Sequence, residues 1–290
     1  MPKAQINCVD LHYEIDGEGP VLAFIHGGFG GEGSSVLPRQ RDWQQVVAKD
    51  YSVITYDRRS AGQSEYPEDG YNLPTFASDL RELLRSLDIQ RAVIMGDSAG
   101  GPIALTYALN YADTVDALIL VETASRLMND RAREGIRRQV KVLERDGPAA
   151  AFDLIQLQQA EGGQTLASRL SVPSQRMEAF QRRQRQVEEL VGKLTREQRI
   201  MYTAGEMRNR SAYLDSDLTG RLNEIDVPTL VVHGDADEVV PTSSGEALAA
   251  GIRDAQLKII AGAGHGLTQW PETITVIKEF MDRVSSPRAR

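Results

Sequence analysis

Apolar and polar positions along the first 123 residues fall into two alternating patterns. Short β-branched runs, each closing on a His, Asp or Glu, extend over Val21 to His26, Tyr51 to Asp57, Arg91 to Asp97 and Ala117 to Glu122, and predict strands. Between them the apolar spacing becomes helical. Trp43, Val46 and Val47 share one face over 40–49, Leu80, Leu83, Leu84 and Leu87 over 74–87, and Ile103, Tyr107 and Ala108 over 99–111. Strand-helix-strand alternation builds a parallel sheet covered on both faces, because parallel neighbours need a crossover between them. The opening segment, Ala4 to Asp16, reads instead as one or two antiparallel strands at the sheet edge, turned by Asp16-Gly17.

From Ser125 to Leu222 the strand signal disappears. Ile136, Val140 and Leu143, then Met177, Phe180, Val187 and Val191, recur at helical spacing, and Thr195 with Gln198 forms the signature of a capping box. The alternation resumes with a strand at Val227 to His233, a helix near Gly245 to Gly251, a strand at Leu257 to Ile260 and a helix from Trp270 to Val284. A helical block inserted between two strands of one sheet divides the chain into a core, 1–124 with 223–290, and a cap over its catalytic edge, 125–222.

At 290 residues with one cysteine, Cys8, the chain can bury a large core and forms no internal disulfide. A reducing cytoplasm is the simplest compartment. The polar start, Met1-Pro2-Lys3-Ala4-Gln5, does not read as a signal peptide, and the longest apolar runs, such as Val227 to Val232, are strand length. A net charge of -8 and a pI near 5.2 argue against nucleic-acid partners, and the short apolar runs give no reason to expect a membrane one. Charge divides at the cap boundary: residues 126–221 hold 18 Lys and Arg against 13 Asp and Glu, net +5, leaving 15 against 28, net -13. Solvated helix faces account for this, and the cluster Arg182, Arg183, Arg185 lacks interleaved aromatics. The four histidines are too scattered to form a metal site, so no metal or cofactor is expected. The partner is a small-molecule substrate, and the chain is a monomer or homodimer.

Gly96-Asp97-Ser98-Ala99-Gly100 matches G-x-S-x-G directly after a strand and before a helix, the setting in which a serine is held proud of the sheet as a nucleophile. The longer run Gly96 to Pro102 also matches the serine signature of chymotrypsin-like proteases. Those are all-β, with the histidine and aspartate upstream of the serine, and the flanks here exclude them. A tetrahedral intermediate needs two backbone donors. Ala99 N–H is one, and the loop His26-Gly27-Gly28-Phe29-Gly30-Gly31 supplies the other, with Gly28 favoured and Phe29 close behind. His265, in the loop Gly262 to Gly266 after the last strand, is the candidate base. His12, His26 and His233 read as structural. The segment His233 to Pro241 offers Asp235, Asp237 and Glu238 as the acid that orients the base. Asp237 is favoured for its longer excursion past Gly234, Asp235 follows, and Glu122 is a remoter option.

Taken together, His26-Gly27-Gly28, Tyr56-Asp57-Arg58-Arg59 with Gly62-Gln63-Ser64, the elbow at Ser98, the acid segment ending Val240-Pro241 and Gly264-His265-Gly266 resemble the α/β-hydrolase superfamily. The resemblance implies a mostly parallel eight-stranded sheet and a Ser98, Asp237, His265 triad. In such families the acid stands three residues after the glycine, which maps onto Asp237. It also implies that Asp57 and Arg58 shape their loop. The oxyanion loop is similar to that of proline iminopeptidases, which carry proline where Phe29 stands and tryptophan where Ala99 stands. Ser98 occupies the position of the aspartate nucleophile of haloalkane dehalogenases and most epoxide hydrolases. The Asp-Arg-Arg run and the Gly-His-Gly-Leu ending resemble cofactor-free haloperoxidases and perhydrolases. The expected activity is therefore that of a serine esterase or lactonase. The alternatives are perhydrolase, C–C bond hydrolase or aminopeptidase on the same triad, or a ligand receptor that keeps the scaffold without turnover.

Overall fold

The computed structural model describes residues 2–30, 38–160, 189 and 192–285. Eight strands, β1 (Lys3–Ile6), β2 (Val9–Asp16), β3 (Val21–Ile25), β4 (Ser52–Tyr56), β5 (Ala92–Asp97), β6 (Val115–Val121), β7 (Thr229–Gly234) and β8 (Gln256–Ile260), form one sheet in the order β1-β2-β4-β3-β5-β6-β7-β8. β2 pairs antiparallel with β1 and β4, and every other pairing is parallel. Among the described residues the α-helices are α1 (Pro38–Val47), α2 (Leu73–Ser86), α3 (Gly101–Asn110), α4 (Asp130–Ala160), α5 (Arg196–Ser211), α6 (Thr242–Gly251) and α7 (Pro271–Ser285). The β1–β2 hairpin turns at Asn7-Cys8, both at positive φ. Asp16-Gly17 instead leads out of β2 towards β3.

The period of two along each strand decides which face a residue serves. Leu22, Phe24, Val93, Met95, Ile119 and Val232 pack with Trp43 and Val47 of α1 and Ile277 and Phe280 of α7. Their sequence neighbours Ala23, Ile25, Ile94, Leu118, Leu120 and Val231 pack with Leu80 of α2, Ile103 of α3 and Leu248 of α6 on the opposite face. Each large side chain so buried contributes roughly 1.5–3 kcal/mol. In α1 the i,i+4 pair Trp43 and Val47 faces the sheet, whereas Val46 is turned outward and is 43% exposed.

Between β6 and β7 the described residues are mainly helical. α4 bends at Gly147 (φ 87°), followed by Pro148, which cannot continue the hydrogen-bond ladder. Thr195 and Gln198 exchange the two capping-box hydrogen bonds at the start of α5. α4 and α5 meet through Leu143, Ala151, Ala204 and Met207, and Asn209 of α5 donates to Arg59 O at 3.0 Å on the loop after β4. Met177, Phe180, Val187, Val191 and the Arg182, Arg183, Arg185 cluster lie outside the described residues. Among the described residues no helix is long and apolar enough to cross a membrane.

Candidate active site

Parallel strands end at a common edge, so loops that follow β3, β5, β6, β7 and β8 meet there. β5 hands over to a single turn, Ser98–Gly100, and then to α3. Ser98 stands at φ 47°, a left-handed conformation that costs a residue with a side chain about 1–3 kcal/mol. A Cβ at Gly100 would lie 2.2 Å from Ile25 O, and one at Gly96 2.7 Å from Gly100 O. The turn closes this tightly because neither position carries a side chain.

Ser98 Oγ donates to His265 Nε2 at 3.1 Å, and His265 Nδ1 donates to Asp237 Oδ2 at 2.8 Å. The structure thus brings together three side chains separated by up to 167 residues. The loops that carry Asp237 and His265 are joined to each other: Ala236 N–H donates to Ala263 O at 2.9 Å, and Asp235 Oδ1 accepts from Gly262 N at 2.6 Å. Asp235 therefore braces the His265 loop from an exposed position. Asp237 is buried, and its Oδ1 accepts the amides of Val239 and Val240, which fixes the carboxylate plane. His233 is fully buried. Its Nε2 donates to Val240 O at 2.9 Å and lies 3.5 Å from Asp237 Oδ2. His12 is buried in β2, one strand in from the edge, with Nδ1 3.4 Å from Asp57 Oδ2.

The candidate oxyanion donors are set by what holds the carbonyl on the far side of each peptide, since N–H and C=O point oppositely in a trans peptide. Ala99 N–H shares a peptide with Ser98 O, which accepts from Thr123 Oγ1 at 2.6 Å. Gly28 N–H shares one with Gly27 O, which accepts from His26 Nδ1 at 2.7 Å. His26 is kept in that tautomer because its Nε2 accepts from Arg58 N and Nε. The Phe29 amide is placed likewise, because Arg58 Nη2 donates to Gly28 O at 2.6 Å. Arg58 Nη1 also donates to Tyr213 Oη at 2.9 Å, and Tyr213 Oη donates to Ala99 O at 2.6 Å. Phe29 meets the Tyr213 ring edge-on at 5.2 Å. Thr123 and Tyr213 carry no sequence motif. A hydroxyl two residues beyond the end of a parallel strand was the available signal for Thr123.

Electrostatics separate the histidines. Burial, and then the Arg58 charge, lower His26 to about 3, so it stays neutral. Burial alone would also lower His265, but the charge of Glu122, the hydrogen bond and charge of Asp237, and Asp97 together raise it to about 9. Burial would raise Asp237, yet the hydrogen bonds from His233 and His265, the charge of His265 and the Val240 amide hold it well below the usual carboxylate range. Among the described residues Glu122, Asp237 and His265 present ligand atoms within 4.8 Å of one another. Those atoms are already engaged: Asp237 Oδ2 with the imidazole N–H and Glu122 Oε2 with the amides of Gly266 and Leu267.

Residues 20–268 match the family model for the alpha/beta hydrolase fold. A non-heme chloroperoxidase of Kitasatospora aureofaciens is 30% identical over 274 residues, 91% of each chain. Among solved structures, the enol-lactonase of Burkholderia xenovorans superimposes with a TM-score of 0.73 at 23% identity, over 97% of this chain and 100% of that one. A thermophilic esterase of Thermogutta terrifontis gives 0.73 at 24% identity over 98% of each. The sheet order, the strand-to-helix turn at Ser98 and the family match lead to one conclusion: the chain belongs to the α/β-hydrolase family.

Proposed function

We propose that the protein is a serine hydrolase that cleaves a small or medium carboxylic ester or lactone through an acyl-enzyme on Ser98. The observation that carries this reading is the unbroken chain from Ser98 Oγ to His265 Nε2 and from His265 Nδ1 to Asp237 Oδ2. Neutral His265 takes the Ser98 proton as the hydroxyl attacks the carbonyl carbon. The amides of Ala99 and of Gly28 or Phe29 hold the resulting oxyanion, and the imidazolium is stabilised by Asp237. His265 then gives its proton to the leaving alcohol, and water repeats the cycle on the acyl group. In this reading residues 125–222 act as a lid that shapes the acyl pocket, and no cofactor takes part. The exposed Cys8 fits a reducing cytoplasm.

The test is turnover of a panel of nitrophenyl esters and lactones by the native protein and by Ser98→Ala. Hydrolysis that survives the substitution unchanged would end the proposal. The chloroperoxidase relative favours a second use of the same triad, with hydrogen peroxide in place of water attacking the acyl-enzyme to release a peracid. Peracid formation from acetate and peroxide, abolished in Ser98→Ala, would establish that second use.

A further inference from the structure

We propose that Glu122 is a positioning residue for His265: its carboxylate anchors the loop that carries the imidazole and places a second negative charge beside Nδ1. This rests on the serine-hydrolase reading above. Glu122 follows the last residue of β6 and is tied to β7, its N–H donating to Val232 O at 2.9 Å. Its backbone stands at φ 42°, a conformation that residues with side chains rarely adopt. Its side chain is buried, with 2% exposure. Oε2 accepts Gly266 N at 2.6 Å and Leu267 N at 2.8 Å, and the same oxygen lies 3.8 Å from His265 Nδ1. The two residues after the base are therefore pinned to the end of a central strand.

A glutamine of the same shape could accept both amides, so the loop contacts by themselves do not require an ion. A carboxylate taken out of water is costly unless its charge finds a use, and the imidazolium formed when His265 takes the Ser98 proton is the charge within reach. The groups that face His265 are Asp237 from the loop after β7, with His233 behind it, Glu122 from the end of β6, and Asp97 from the end of β5. Asp237 holds the direct hydrogen bond. Glu122 adds charge to the same nitrogen without competing for its proton.

The test is an imidazole NMR titration of the full chain from pH 5 to 10, with His265 assigned by its loss in His265→Asn. Glu122→Gln keeps the amide acceptor and removes the charge. His265 should then titrate about one unit or more lower than in the native protein, and the acid limb of kcat/KM on a nitrophenyl ester should move with it. A His265 midpoint that coincides in the two proteins overturns the proposal. Should Glu122→Gln fail to fold, Glu122→Asp, which keeps the charge and shortens the reach, serves in its place. It should weaken the protection of the Gly266 and Leu267 amides against hydrogen exchange, and undiminished protection overturns the anchoring role. Fluorophosphonate labelling of Ser98 is measured separately. Its absence from the native protein counts against the hydrolase reading alone, because the titration reports the Glu122–His265 coupling without turnover.

Discussion

Thr123→Val removes one hydroxyl and keeps the shape of the side chain. Thr123 is fully buried and packs where Gly101 has no side chain; a Cβ there would stand 2.0 Å from Thr123 Oγ1. Valine sets a methyl group where Oγ1 stood, closer to Ser98 O than a carbon–oxygen contact allows, so the change removes the 2.6 Å hydrogen bond and also pushes the carbonyl aside. A carbonyl left without that donor costs about 1–3 kcal/mol, and each kcal/mol lowers Tm by roughly 2–4 °C in a domain of this size. The peptide it releases carries Ala99 N–H. Deleting a whole oxyanion donor costs about 10²–10³ in rate. Loosening one that remains in place should cost less, about 10-fold in kcat with KM little changed. Stopped-flow acylation by a nitrophenyl ester reads the chemical step, thermal melts read the stability, and Thr123→Ser restores the hydroxyl as control. A valine variant that melts lower yet acylates at the native rate would show that the contact merely stabilises the turn. The reasoning from opposed peptide groups would then be wrong.

Four further outcomes are expected. The acid limb of kcat/KM should have a midpoint near pH 9, set by His265, with no inflection from His26, which titrates near 3; a limb near 6.5 would contradict the charge arrangement around the base. Because the folded His265 value lies above its ordinary 6.5, its contribution to stability is complete below about pH 6.5 and is lost as pH rises through 9. Asp237 behaves oppositely, stabilising fully above about 3.8 and less as pH falls towards its depressed value, so denaturant midpoints at pH 2, 5 and 10 should peak at 5. Arg58→Lys retains a cation but cannot serve His26, Gly28 O and Tyr213 Oη at once. Each buried acceptor left without its donor should cost about 1–3 kcal/mol, read by chemical denaturation. Gly100→Ala drives a methyl group against Ile25 O at 2.2 Å and should abolish soluble expression or activity, whichever is assayed first.

Much of this architecture was legible because its determinants are local. β-branched runs ending in polar residues mark β3 to β6, and the glycines around Ser98 mark a turn that only a strand-to-helix junction explains. The choice between Asp237 and Asp235 was open on spacing alone, since both leave β7 within three residues. The fold separates them, sending Asp235 to Gly262 N and Asp237 to the imidazole. Helical spacing placed Val46 with Trp43 and Val47, although only the i,i+4 pair faces the sheet. What stayed hidden are the side chains that act on a backbone carbonyl. Thr123, Tyr213 and the guanidinium of Arg58 find partners fixed by three-dimensional packing, and such a partner leaves no residue-type pattern. Glu122 was visible as an acid at a strand end, but its hold on Gly266 and Leu267 depends on β6 lying beside β7 and not on any sequence spacing.

The hydroxyl of Tyr213 belongs to the return from the helices between β6 and β7, yet it ends on the carbonyl of Ala99, next to Ser98. On the proposed serine-hydrolase reading, exchanging that insertion would thus remove a strut beside Ser98 as well as reshape the lid. Chimaeras that retain the return from residue 209 onward should keep a working nucleophile, whereas grafts that cut it away should leave a folded sheet with an idle serine.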